Sequence, residues 1–323
     1  MIILGISAFF HDSSACLIKD GIIVAAAEEE RFTRKKHDLG FPFKAIEYCL
    51  KECNAAINEV DYIAYYEKPI LKFERILRQF LESFPRGYIA FYKTMPSWIN
   101  EKLRVRHIIK RKLRFKGNVF FIDHHLAHAA SSFLMIPFDE AAILIIDGVG
   151  EMATTSLGYA KGNEIILNKQ INFPHSLGLL YSTVTAFLGY KVNDHEYRVM
   201  GLAAYGKPVY YDKLKKLIEI REDGSYKLNM DYFAYHYKMS MPSKKFIDEF
   251  GPIRKKDEEI TQRHKNMAAS LQKLTEELLF LMANNLHKTT GMKNLCLAGG
   301  VALNSVANGK IIRNTKFENT YIQ

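Results

Sequence analysis

In the segment Asp123-His124-His125-Leu126-Ala127-His128-Ala129-Ala130, two histidines stand four residues apart. On an α-helix, positions i and i+4 lie on one face, so the imidazoles of His124 and His128 project together at a separation that suits a shared metal ion. Neutral imidazoles there hold zinc or ferrous iron. No glutamate follows the first histidine, so the zinc-protease arrangement with its built-in base is absent. Two histidines also need a further ligand, usually a carboxylate, and the neighbouring sequence offers none at a matching spacing. A histidine pair hydrogen-bonded within a small-residue helix interface meets the same spacing, so spacing alone leaves the two readings balanced.

Two glycine-bearing turns follow. In Ile145-Ile146-Asp147-Gly148-Val149-Gly150-Glu151, an apolar strand runs into Gly148 and Gly150, whose amides can approach an anion closely. Asp147 stands where it could orient a metal or a reacting hydroxyl, and Thr154, Thr155 and Ser156 add hydroxyl donors. A tight Asp-Gly hairpin turn accounts for the same residues. In Leu297-Ala298-Gly299-Gly300-Val301-Ala302-Leu303-Asn304, a strand enters a Gly-Gly turn that opens a helix, which aims free amides at a nucleotide. Near the N-terminus, His11-Asp12-Ser13-Ser14 forms a polar quartet between apolar strands, suited to facing a cleft. The charged run 28–38 reads mostly as a solvated, mutually paired surface from which one or two bases reach a phosphate. Glu196 is placed either to grip ribose hydroxyls or to pair on a helix surface.

These residues need elements to position them. Residues 2–8 read as an apolar strand, and 14–18 with 22–27 as two more, joined by a hairpin turn at Asp20-Gly21. Residues 43–54 have helical spacing, 62–66 form a short strand, and 70–115 read as a basic helical insertion interrupted by Pro85 and Pro96. After a strand at 118–122, Asp123 stands as the N-cap of a helix running from His124 to about residue 134. Strands at 141–146, 155–159 and 164–167 precede a helix beginning near Leu177. Residues 209–258 look like a partly irregular insertion, 262–288 a long amphipathic helix, and 295–297 a buried strand. Each half thus opens with a strand, a polar glycine-bearing turn and a second strand. This suggests a duplicated two-lobed α/β fold, lobes 1–138 and 139–323, with a ligand in the cleft.

A chain of 323 residues exceeds what one core usually supports. The hydrophobic fraction of 48% and charged fraction of 25% exclude a disordered chain. The net charge of +10 is concentrated in residues 72–116, which hold 13 Lys and Arg against 3 Glu. That segment reads as the solvated face of an insertion, or as a dock for an anionic substrate, an acidic partner, nucleic acid or a membrane surface. The four cysteines form no C-x-x-C pair and read as reduced core residues. The N-terminus lacks the basic and apolar regions of a secretory signal, and no apolar run is long enough to cross a bilayer, so a cytoplasmic location without membrane contact is expected.

Taken in order, Gly5-Ile6-Ser7, His11-Asp12-Ser13-Ser14-Ala15, Glu29-Glu30-Arg31-Phe32, the His124–His128 segment, Asp147-Gly148, Val199-Met200-Gly201-Leu202-Ala203 and Ala298-Gly299-Gly300-Val301-Ala302-Leu303-Asn304 resemble the nodulation-protein-type O-carbamoyltransferases across the whole chain. The resemblance implies an ASKHA-type fold of the actin and sugar-kinase class, similar to the TsaD-type proteins. It also implies a C-terminal YrdC-like domain that makes carbamoyl-adenylate from ATP and carbamoyl phosphate. The core then passes the carbamoyl group to a hydroxyl-bearing small-molecule acceptor, a sugar or natural product; nucleic acid is not an expected partner. Carried over, His124 and His128 match the ligands of a divalent metal, iron or zinc. Asp147, Gly148, Gly299, Gly300 and Asn304 match the nucleotide cradle, to which Gly150 and Glu196 are added as candidates. His11 and Asp12 fall in the turn facing the carbamoyl group, with Asp147 a third catalytic candidate. The family's remaining metal ligand, an aspartate, and the YrdC-like domain are expected after Gln323. An ASKHA small-molecule kinase and a non-catalytic nucleotide-binding module are the alternatives that the glycine turns alone permit.

Overall fold

The computed structural model describes residues 1–323. Strand β1 (Ile2–Ser7) pairs antiparallel with β2 (Ser14–Lys19), which pairs antiparallel with β3 (Ile22–Glu28). The turn between β2 and β3 is two residues, Asp20 and Gly21, both at positive φ, as a type I′ hairpin requires. On the other side of β1 lie β4 (Tyr62–Tyr65) and β5 (Asn118–Phe121), both parallel to it, giving the order β3-β2-β1-β4-β5. Alternation puts Leu4 opposite Leu17 on the buried face, where they join Ile63 and Tyr65. Ala45, Ile46 and Cys49 of the helix Phe43–Glu52 and Ile109 of the helix Val105–Leu113 belong to the same core.

The second sheet repeats this order. Strands β6 (Glu140–Ile146), β7 (Ala153–Lys161) and β8 (Glu164–Asn172) form an antiparallel meander. After a separate two-stranded ribbon of β9 (Ile218–Ile220) and β10 (Tyr226–Leu228), β11 (Asn294–Ala298) and β12 (Asn319–Ile322) add in parallel beside β6. The order β8-β7-β6-β11-β12 is thus again third, second, first, fourth, fifth. This duplication matches the expected α/β fold in which each half opens with a strand, a turn and a second strand. From Ala141 to Ile146, β6 is buried on both faces, which explains its uninterrupted apolar run. The helix Gln262–Thr290 covers one side with Leu271, Leu274, Leu278 and Met282, and Ala129 and Phe133 of the helix His124–Phe133 cover the other.

The chain divides into two compact units, residues 1–77 with 91–127, and 78–90 with 128–323. One expectation changes. The helix Tyr88–Asn100 runs on through Pro96, and the buried Trp98 anchors the turn beyond it; only Pro85 stands outside a helix. Residues 209–258, read as a partly irregular insertion, form short elements joined by loops, and Leu214, Leu217, Tyr226, Leu228, Phe233 and Phe246 enter the main core of the second unit. The run 28–38 is also not all solvated. Glu29 is only 5% exposed, and its carboxylate accepts the amides of Lys44 (3.2 Å) and Ala45 (2.8 Å), capping the helix Phe43–Glu52 in place of Pro42, which has no side-chain acceptor. All four cysteines are free, and burial pushes the Cys49 thiol up to about 11. No helix is long and apolar enough to cross a membrane.

Candidate functional site

Asp123 starts the helix that carries the histidines, its Oδ1 accepting the amide of Leu126 at 3.2 Å. One helix, His124–Phe133, carries both His124 and His128. Asp147 follows the last residue of β6. Ligand atoms of His124, His128 and Asp147 all lie within 4.8 Å of one another, and all three residues are half-buried. The carboxylate that neighbouring sequence did not supply therefore comes from the end of a strand packed beneath the helix.

The backbone around Asp147 is tightly walled. A Cβ at Gly178 would stand 2.7 Å from the Asp147 carbonyl oxygen, and one at Gly299 would stand 2.5 Å from the Ile146 carbonyl oxygen. Gly299 also has φ +91, a conformation that glycine adopts without strain. The next amide, of Gly300, donates to Asp147 Oδ1 at 3.1 Å. Ser176 Oγ donates to the Gly148 carbonyl at 2.7 Å while capping the helix Leu177–Phe187. Asp147, Gly148, Gly299 and Gly300 are thus brought together where β6 and β11 end. The Gly150 amide is spent on the Ala153 carbonyl (2.9 Å), closing the β6–β7 hairpin.

Other candidates lie elsewhere or are engaged. Thr154, Thr155 and Ser156 are buried in β7; Thr154 Oγ1 donates to the His175 carbonyl (2.5 Å), and Thr155 Oγ1 meets the Tyr226 hydroxyl (3.1 Å). They face the core because β7 is covered on both sides, so they are not ligand donors. Asn304 pairs reciprocally with Gln272 (2.8 and 3.0 Å) and caps the short helix Ser305–Asn308 through the Ala307 amide. Glu196 accepts from Ser182 Oγ (2.9 Å) and from the amides of Asn193 (3.0 Å) and Asp194 (3.1 Å), which makes it the cap of its own loop rather than an exposed ion-pair partner.

In the first unit, the Asp12 carboxylate is shared between two imidazoles, with His11 Nδ1 at 2.8 Å and His37 Nδ1 at 2.7 Å. Burial pushes this carboxyl up, but the hydrogen bonds from His37 and His11 outweigh it and hold it below the ordinary carboxylate value. Asp12 and His37 both sit at positive φ, 55° and 56°, and the two loops are tied by Phe9 N to the Leu39 carbonyl and Ser13 N to the Asp38 carbonyl. Glu30 accepts the His37 amide at 2.8 Å and completes a second cluster with Asp12 and His37. Sequence reasoning did not single out His37, because it lies in a charged run 25 residues from its partner.

A family profile described as Carbamoyltransferase N-terminus matches residues 2–323. The chain belongs to that family. It is 50% identical over 99% of its length to the uncharacterized protein sll1178 of Synechocystis sp., of which the match covers 54%. To the nodulation protein NolNO of Sinorhizobium fredii it is 34% identical over 98% of its length, covering 44% of that protein. The chain thus spans about half the length of the curated relatives it matches. Among solved structures, HypF of T. kodakarensis covers 99% of this chain, with 44% of its own length, at 14% identity and TM-score 0.48. In this carbamoyltransferase N-terminal chain, His124, His128 and Asp147 with Gly300 form one group, and Asp12 with His11, Glu30 and His37 forms another.

Proposed function

We propose that the chain carries the transfer step of an O-carbamoyltransferase, moving a carbamoyl group from carbamoyl-adenylate to a hydroxyl of a small-molecule acceptor, a sugar or natural product. The adenylate is made from ATP and carbamoyl phosphate by a YrdC-like domain in the remainder of the protein. The observation that carries this reading is the convergence of His124, His128 and Asp147 within 4.8 Å at a turn whose Gly300 amide already binds the Asp147 carboxylate, in a chain of this family.

Two imidazoles and one carboxylate fit a divalent iron or zinc ion. A metal bound there supplies Lewis-acid polarisation of a carbonyl oxygen. The remaining chemistry belongs to the chain. Gly299 and Gly300 place backbone close to the adenylate phosphate, and Asp147 is held in position by Gly300. In the first unit, the carboxylate of Asp12 can only accept, so the proton of neutral His11 resides on Nδ1 and the lone pair on Nε2. His11 Nε2 takes the proton of the acceptor hydroxyl as its oxygen bonds to the carbamoyl carbon; the bond from that carbon to the phosphate oxygen breaks, and AMP leaves with the electron pair.

The test uses the protein together with its YrdC-like domain, supplied with ATP, carbamoyl phosphate and candidate hydroxyl acceptors. His124→Ala should abolish formation of carbamoylated product and leave carbamoyl-phosphate-dependent pyrophosphate release intact. Retention of product formation in that variant would sink the assignment. Metal analysis by mass spectrometry separates this reading from a kinase, for which no tightly held iron or zinc is expected.

A further inference from the structure

The basic insertion ends in a run of one sign. From Leu103 to Ile122 the chain holds seven Lys and Arg and no Asp or Glu. The helix Val105–Leu113 turns Val105, Ile108 and Ile109 into the core of the first unit, which holds the charged positions on the opposite face. Arg104, Arg106, Arg111, Lys112, Arg114 and Lys116 are exposed, and neither they nor Lys110 forms an ion pair. Two have aromatic neighbours instead, Arg106 lying 5.3 Å from the Phe121 ring centre and Lys112 lying 4.8 Å from that of Phe43. Helix stability does not account for the run. Lys110, Arg111 and Lys112 in the last turn complement the helix dipole, but Arg104 and Arg106 oppose it at the other end, where the first turn has no acid. Arg106 and Lys110 are like charges four residues apart, a spacing at which they repel. The face thus carries a surplus that no ion pair offsets. The stretch leading into it leaves large apolar side chains uncovered as well: Tyr92 and Ile99 of the helix Tyr88–Asn100 are 70% and 58% exposed, and Leu103, beside Arg104, is 37% exposed.

We propose that the exposed face of the helix Val105–Leu113, from Arg104 to Lys116, docks on the anionic phospholipid surface of a membrane, with Ile99 and Leu103 entering the headgroup layer. A lipid surface supplies both partners at once, negative headgroups for a face of one sign and an apolar layer just beneath for side chains that stand uncovered. A nucleic-acid backbone meets the charge but offers nothing to an exposed isoleucine or leucine. The expectation of no membrane contact rested on the lack of a crossing segment, and a surface contact needs none. This docking does not depend on the carbamoyl-transfer reading.

The experiment is sedimentation of this chain with vesicles of phosphatidylcholine alone and of phosphatidylcholine mixed with phosphatidylglycerol. The wild type should pellet with the mixed vesicles only, and added salt should release it. Arg104→Gln, Arg111→Gln and Lys116→Gln combined should weaken binding at least about tenfold. Lys51→Gln, Lys255→Gln and Lys256→Gln combined remove the same charge from other exposed positions and should change binding little. Ile99→Ser with Leu103→Ser should weaken it as well. The variant lacking Arg104, Arg111 and Lys116 should unfold at the wild-type Tm or above it, since repulsion is relieved, so its lost binding is not lost folding. Failure of the wild type to pellet with the mixed vesicles overturns the proposal, as does undiminished binding in that variant, an equal loss in the control, or unchanged binding of the Ile99→Ser, Leu103→Ser variant. Tighter binding to duplex DNA or to polyglutamate than to the mixed vesicles assigns the face to nucleic acid or to an acidic protein and overturns it too. His124→Ala should bind the vesicles as the wild type does, so this test and that of the transfer assignment are read separately.

Discussion

The amide of Gly300 donates to the carboxylate of Asp147 at 3.1 Å although 153 residues separate them in the chain. Parallel pairing of β11 with β6 makes the contact, because Ala298 lies opposite Ile145 and both strands end at the same level. The residue between, Gly299, is fixed by space as well as conformation. Gly299→Ala should therefore destabilise the chain by about 1–3 kcal/mol in urea unfolding, since an added Cβ would meet the Ile146 carbonyl at 2.5 Å from a φ of +91. Gly300→Ala is the comparison. Its Cβ would stand 3.4 Å from Asp147 Oδ1, so a smaller loss is expected.

Glu29 offers a second test, of the first unit. Its carboxylate satisfies two amides that open the helix Phe43–Glu52, and no other side chain caps them at the N-cap position. Glu29→Ala should cost about 1–3 kcal/mol, the range for leaving buried polar groups unsatisfied. Glu29→Gln keeps one acceptor oxygen and should lose less. Equal stability of E29A and the wild type by chemical denaturation would show that water replaces the carboxylate.

How much of this was legible beforehand depended on whether the signal was local. The Asp20-Gly21 hairpin, the Asp123 cap and the shared face of His124 and His128 follow from spacings of two to four residues, and the fold has all three. The repeated strand order was visible only coarsely, as two halves opening alike. Asp147 joining the histidines was not legible, because it depends on which strand packs under the helix. Nor was His37 reaching Asp12, which depends on two loops being tied through Phe9 and Ser13. Thr154 and Thr155 misled because hydroxyl donors look the same in sequence whether they face a ligand or a core carbonyl, and β7 is covered on both sides. Pro96 misled because tertiary anchoring by Trp98 overrides a local helix-breaking preference.

The carboxylate shared by His11 and His37 makes stability depend on pH in a definite direction. The Asp12 pKa is lowered in the folded chain from 3.8, so the unfolded chain binds its proton more readily. The stabilisation is present above the unfolded value and is lost as pH falls through the lower, folded one. Asp12→Asn should therefore be less stable than the wild type at pH 7, and the gap should close as pH drops below about 4. Parallel denaturation curves at several pH values would measure it; a gap that is constant with pH would mean that the two hydrogen bonds, and not the charge, carry the effect.

The two readings of the histidine pair separate most sharply at Asp147. If the three residues hold a metal, removing the carboxylate's charge weakens it without touching the helix. Asp147→Asn keeps an oxygen for the Gly300 amide to donate to, and so preserves the turn. Zinc titrated into this chain by calorimetry should then bind at least about tenfold more weakly to D147N, and His128→Ala should lower affinity as well. If the histidines serve only to hydrogen-bond within the helix packing, D147N should leave zinc binding as it is in the wild type, and H128A should lower the unfolding midpoint instead. Affinity and stability thus move in different variants under the two readings, because a metal ligand contributes most when the ion is present, whereas a packing histidine contributes whether it is there or not.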